Sequence, residues 1–232
     1  SGIGRRFQTP VQVLIDLNGL GPRADVSPGQ RVILPADAVD EEAIGGARIL
    51  YLEGYLWDPE EPRAAMRRAI EAARAAGRKV AFTLSDPFVI ARHGDDFRAL
   101  IDERKIDILF ANHVELAALT GEDDFEAGMA ALAPRVPVLV VTRSAQGAVA
   151  IAGGERAEVA AEPTRVVDTT GAGDLFAAGF LHGHVRGESL QRCLRILMHV
   201  NTDRSAKDIK HIYLHGARVL QQRHPLRQPS RH

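Results

Sequence analysis

From residue 47 onward, short continuous runs of apolar residues alternate with stretches whose apolar positions recur every three or four residues. The run ARILYLEGY (47–55) predicts a buried strand. WDPEEPRAAMRRAIEAARAAG (57–77) then predicts a helix, with Asp58 and Pro59 at its start. Met66, Ile70 and Ala73 share one face of it, and Gly77 lies just past its end. The pattern continues with KVAFTLS (79–85, strand), DDFRALIDER (95–104, helix) and IDILFAN (106–112, strand). VELAALTG (114–121) and DFEAGMAAL (124–132) read as helices, and VPVLVVT (136–142) as a strand. GAVAIAG (147–153) and AEVAAE (157–162) are two further short strand-like runs. Short apolar strands alternating with helices imply an α/β fold whose mostly parallel sheet is covered on both faces.

One stretch breaks the rhythm. VVDTTGAGDLFAAGF (166–180) follows the β-branched PTRVV and concentrates acids, threonines and glycines before turning apolar, with Leu175, Phe176, Phe180 and Leu181 at helical spacing. A strand thus runs into a glycine turn and out into a helix. The start of that helix offers unpaired N–H groups and positive dipole potential to an anion, and glycine lets the backbone approach it closely. Asp174 sits where a helix cap or a first-turn acid would sit, so read alone it is a capping residue.

In an open parallel sheet, ligands bind beyond the carboxyl ends of the strands. Polar groups gather at those ends: Asn112 with Glu115 one helical turn later, Thr142 followed by Arg143, Ser144 and Gly147, and Asp168 with Thr169, Thr170 and the glycine turn. An oxyanion turn, a carboxylate beside it and a second acid describe phosphoryl transfer better than ester hydrolysis. Read singly, each has a plainer role. Glu115 is a solvated first-turn acid, Asn112 ends a strand, Arg143 and Ser144 are loop residues, and Asp168 and Thr170 shape a turn.

Composition narrows the field. The 232 residues suffice for one large domain, and 45% apolar with 25% charged residues is ordinary for a globular protein. A net charge of -1 leaves no electrostatic footprint for nucleic acid or an anionic membrane. The single cysteine, Cys193, forms no internal disulfide and suits a reducing, cytoplasmic setting. His182 with His184, and His211 with His215, have spacings that metals use, but Ile212 stands where a zinc-protease helix needs glutamate. The D-T-G of aspartic proteases is also a poor match, because DTTG carries an extra threonine, occurs once and lies in an α/β pattern.

DTTGAGD (168–174) resembles the signature of the ribokinase-like (PfkB) family of carbohydrate and nucleoside kinases. ILYLEGYLWD, FTLSDPFVI, IDILFANHVELAALTG and VLVVTRSAQGAVAI resemble its adenosine-kinase-like branch, so that the likeness covers roughly residues 45–195. The resemblance implies a three-layer α/β/α fold and transfer of the γ-phosphate of ATP to a primary hydroxyl of an adenosine-like nucleoside or a sugar. It implies that Asp174 is the general base and that Gly171, Ala172 and Gly173 form the anion hole. Asn112 and Glu115 match an N-x-x-E motif that organises Mg²⁺ and phosphate through water. Thr142, Arg143, Ser144 and Gly147 fall in the nucleotide loop, with Asn112 and Gly173 also on the nucleotide. Asp168 and Thr170 match a monovalent-cation (K⁺) site. The partners so implied are ATP and a small acceptor, with no nucleic acid and no membrane.

The two ends match less well. Residues 1–40 hold two strand-like runs, VQVLIDL and RVILP, around the turn-rich NGLGPRADVSPGQ, and no Gly-Gly acceptor motif. They read as the remnant of a truncated or altered lid, or as a poorly ordered lead-in, ahead of a catalytic core over 41–232. A second reading of the whole is a catalytically weak binding relative that has lost its lid. The basic stretch RVLQQRHPLRQPSRH at the far end reads as a solvated tail.

Overall fold

The structure, a computed structural model, describes residues 39–161 and 171–198 together with Gln12. The first elements are α1 (Glu41–Gly46), β1 (Ile49–Glu53), a 3₁₀ turn (Gly54–Trp57), α2 (Glu60–Ala75), β2 (Lys79–Thr83) and α3 (Pro87–Asp102). They are followed by β3 (Ile108–Asn112), α4 (His113–Thr120), α5 (Phe125–Leu132), β4 (Val138–Thr142), β5 (Ala148–Ala152) and β6 (Glu155–Val159). After residues 162–170, α6 (Ala172–His184) and α7 (Leu190–Met198) complete the described part. The strands form one sheet in the order β1-β2-β3-β4-β5-β6. β1 to β4 are parallel, and β4, β5 and β6 are antiparallel neighbours.

Period-two alternation sorts the strand residues onto two cores. Val80, Phe82, Leu109, Leu139, Val141 and Val149 belong to one cluster with Met66, Ile70, Phe97, Leu116 and Met129 from α2 to α5. Ala81, Ile108, Phe110, Val138, Val140, Ala148 and Ala150 belong to the other with Ala177, Phe180, Leu181, Cys193 and Leu194 from α6 and α7. The layers of the described residues are therefore α/β/α, as the sequence pattern predicts, with α2 to α5 on one face and α6 and α7 on the other. Trp57 is completely buried at the edge of the first core, edge-on to Phe82 (5.9 Å) and Phe97 (5.6 Å), and its indole N–H donates to Asp96 at 2.8 Å.

Two elements differ most from the sequence reading. α3 starts at Pro87, not at residue 95, with Asp86 as its cap and a non-helical residue, His93, inside it. That break at φ -129° hides the periodicity of the first two turns. β6 begins at Glu155 and ends at Val159, two residues before the predicted start and three before the predicted end, because its charged residues line an exposed edge. The lid expectation for residues 1–40 falls almost entirely outside the described residues, as do the PTRVV strand, His211, His215 and the basic tail.

Candidate active site

Parallel strands β1 to β4 send their carboxyl ends to one side of the sheet, and the helix leading from the glycine turn starts on that side too. Phe180 packs edge-on against Phe110 at 5.6 Å, while His184, at the other end of α6, lies 3.2 Å from Lys79 at the first position of β2. α6 therefore runs opposite to the parallel strands. At 1.5 Å per residue its first residue stands about 12 Å beyond Phe180 in the direction of the strand ends. Sheet topology thus gathers Asn112, Thr142 and the Gly171–Asp174 turn at one end of the molecule.

Gly171 is the N-cap of α6 and sits in the left-handed region, φ +74°. Glycine occupies that conformation without a steric penalty. Among the described residues no atom lies within 4 Å of a Cβ built on Gly171 or Gly173, and Ala172 and Gly173 are exposed. Gly171 has no side chain with which to cap the N–H groups of the first turn. Asp174 is half-buried and occupies the third position of the helix, so it is a first-turn acid and not the cap. A carboxylate there is favoured by the helix dipole and stands beside the N–H groups.

Asn112 ends β3 and caps α4. Its Oδ1 accepts from the N–H groups of Val114 and Glu115, both at 2.9 Å. Glu115 completes a capping box: Oε2 accepts from the Asn112 N–H at 2.9 Å, and Oε1 from the Asn112 Nδ2 at 2.7 Å. The solvated-acid reading of Glu115 fails here. The residue is 5% exposed, and among the described residues it is the one buried charged side chain. Burial pushes its carboxyl above the usual range. The Asn112 N–H opposes that shift, and the negative charge of Asp86 adds to it.

That neighbour joins the candidate site, and the sequence reading missed it. Asp86 follows β2 at the same end of the sheet, caps α3 through a 2.6 Å bond from the Phe88 N–H, and is preceded by Ser85 at φ +67°. The signal was present as an aspartate before a proline at the first helical position. Non-glycine residues in the left-handed region cost energy and concentrate at functional turns.

Thr142 is in register with Asn112 across β3 and β4. It is also paired with Ala148, which makes Arg143–Gly147 the tip of a tight β4–β5 hairpin. The Arg143 N–H donates to the Gly147 carbonyl at 2.7 Å, and Ser144 and Gly147 both have positive φ, +51° and +90°. The Arg143 side chain turns to the protein: its guanidinium lies 4.1 Å from the Phe125 ring centroid and 3.3 Å from Glu158. Ser144 is exposed at the tip. Asp168 and Thr170 lie outside the described residues. His182 and His184 do not converge, since one meets Arg186 at 2.7 Å and the other stacks on Phe180.

Asn112 and Glu115 use their oxygens on each other and on backbone N–H groups, and among the described residues no three His, Cys, Asp or Glu side chains cluster to hold a metal ion. With those oxygens committed, Asp86 and Glu115 would hold a magnesium ion through its waters and not by direct ligation. The arrangement as a whole is a three-layer α/β sheet with a glycine turn, a first-turn carboxylate and a hairpin loop at one end, the chemistry that an anionic ligand across the strand ends would need.

Comparison with known proteins narrows this class. The model of the pfkB family of carbohydrate kinases matches residues 28–196. A fructokinase from Klebsiella pneumoniae is 31% identical over 178 residues, covering 74% of this chain and 57% of that protein. The solved adenosine kinase from Sinorhizobium meliloti is 42% identical, with a TM-score of 0.66 over 69% of this chain and 49% of that one. A probable sugar kinase from Rhizobium etli is 41% identical, with a TM-score of 0.68 over 71% and 50%. The chain belongs to the pfkB carbohydrate kinase family, and it spans about half the length of these relatives. Models of type I chorismate mutase (residues 179–224) and of the LysM domain (residues 1–35) match stretches at the two ends, neither reaching half of the chain. Among the described residues no helix is long and apolar enough to cross a membrane.

Proposed function

We propose that this chain is the nucleotide-binding and catalytic core of a kinase that transfers the γ-phosphate of ATP to a primary hydroxyl of a nucleoside or sugar. The observation that carries the reading is the first turn of α6, Gly171–Gly173, with Asp174 beside it at the carboxyl end of the sheet. The Asp174 carboxylate accepts the proton of the acceptor hydroxyl as its oxygen attacks the γ-phosphorus, and the bond to the β–γ bridging oxygen breaks, leaving ADP. The N–H groups of the α6 turn stabilise the charge on the equatorial oxygens. Thr142, Ser144 and the backbone at Gly147 hold the nucleotide at the hairpin. Asn112 and Glu115, with Asp86, would hold a Mg²⁺ ion through its waters, and the ion would supply neutralisation of phosphate charge. On the family resemblance, Asp168 and Thr170 would hold a monovalent cation. Likeness to the S. meliloti adenosine kinase supports a nucleoside acceptor, and likeness to the Klebsiella fructokinase a sugar.

Asp174→Asn is the direct test. ADP release with a panel of nucleosides and sugars should fall by about 10²- to 10⁴-fold, the usual cost of losing a general base, while ATP affinity stays within about twofold. Turnover at the wild-type rate would remove Asp174 from the chemistry.

A further inference from the structure

Arg143 belongs to a closed ring of contacts that joins three elements. Phe125 opens α5, and the Arg143 guanidinium stacks over its ring at 4.1 Å. The next residue, Glu126, takes a two-pronged contact from Arg156 on β6, at 2.6 and 2.8 Å. Arg156 also reaches Glu158 at 3.5 Å, and Glu158 returns to Arg143 at 3.3 Å. Arg143 further lowers the Glu126 carboxyl, after the larger effect of Arg156. Only 20% of the Arg143 side chain is exposed, with its guanidinium over Phe125 and its Nη1 donating to Glu158. Two arginines and two glutamates cancel, so the ring supplies geometry and no net charge. Gln191 of α7 fastens the same strand, donating to the Glu158 carbonyl at 3.0 Å.

We propose that Arg143 is a positioning residue, and that Phe125 and Glu158 act through it to hold the Ser144–Gly147 loop in the conformation that receives the nucleotide. The inference rests on the nucleotide reading of this loop. A loop whose residues sit at positive φ is costly to hold, and a brace at its first residue restricts the alternatives before the ligand arrives. The aromatic contribution is that of a part-exposed cation–π pair.

The test combines nucleotide affinity with amide exchange in the intact chain. Phe125→Leu, which keeps apolar bulk and removes the ring face, should weaken binding of an ATP analogue about two- to fivefold. It should accelerate exchange of the Gly147 amide by a similar factor, since that N–H bonds to the Ser144 carbonyl within the loop. Phe125→Tyr should restore both, and Glu158→Gln should act in the same direction as Phe125→Leu. In Arg143→Met, adding Phe125→Leu should change the affinity no further. Additive losses would overturn the proposal in favour of direct contact between Arg143 and nucleotide, and so would unchanged Gly147 exchange in Phe125→Leu. If the wild type binds no nucleotide while exchange responds as expected, the brace stands and the kinase reading falls.

Discussion

Glu115 shows how much a single side chain depends on what packs around it. Its position three residues after Asn112 specifies a capping box, and both halves of the box form. Its burial was not legible, because it comes from α3 packing beside α4 and bringing Asp86 close. A carboxyl whose folded pKa is raised favours folding fully only below the unfolded value. Stability is then lost as pH climbs from the ordinary glutamate range, near 4.5, through the raised value. Glu115→Gln should remove that descending limb while giving up one box bond, worth about 1 kcal/mol. Urea melts of both proteins across pH should show the variant gaining on the wild type as pH rises. A difference independent of pH would mean that Glu115 is solvated after all.

At the scale of elements, alternation and period told strands from helices, and capping signals located most of their ends. α2 matches its reading closely, with Met66, Ile70 and Ala73 buried together and Gly77 past its end at φ +66°. α3 was cut short because His93 interrupts its period, although Asp86 and Pro87 mark its true start. The antiparallel turn from β4 to β5 was also unreadable as such, since a strand-like run carries no direction. Its geometry now makes a firm demand on one residue. A Cβ on Gly147 would lie 1.8 Å from the Val159 carbonyl oxygen, and the backbone there has φ +90°. Gly147→Ala must therefore part β5 from β6 or refold the hairpin, at about 3 kcal/mol or more. Thermal denaturation checks this, and a midpoint within a degree of wild type would show that the hairpin adopts another path. The places of Asn112, Thr142 and Gly171 at one end of the sheet were legible to a similar degree. Motif residues at strand ends were found where the chain changes pattern, but Asp86 and the fastening of Arg143 by Phe125 and Glu158 depend on contacts between distant segments.

For the molecule as a whole, the consequential fact is that the proposed nucleotide groups come from three separate places, the end of β3, the β4–β5 hairpin and the start of α6. They meet only when both cores are intact, because β3 and β4 belong to both while α6 packs on the second alone. A ligand that touches all three binds the folded chain and not the unfolded one, so it must stabilise folding by mass action. At a hundred times its dissociation constant, ATP should add about 2.7 kcal/mol, which raises the melting midpoint of a chain this size by about 5–11 °C. Asp174→Asn should show the same rise, since the general base acts on the acceptor and leaves the ground-state nucleotide alone. A sugar or nucleoside that fits the proposed acceptor site should add a second increment in the presence of a non-hydrolysable analogue, and the acceptor giving the largest increment identifies the substrate class. The measurement separates binding from chemistry. A rise in both proteins with turnover only in the wild type fits Asp174 as base on a working nucleotide site, whereas no rise in the wild type would show that these three segments do not form one.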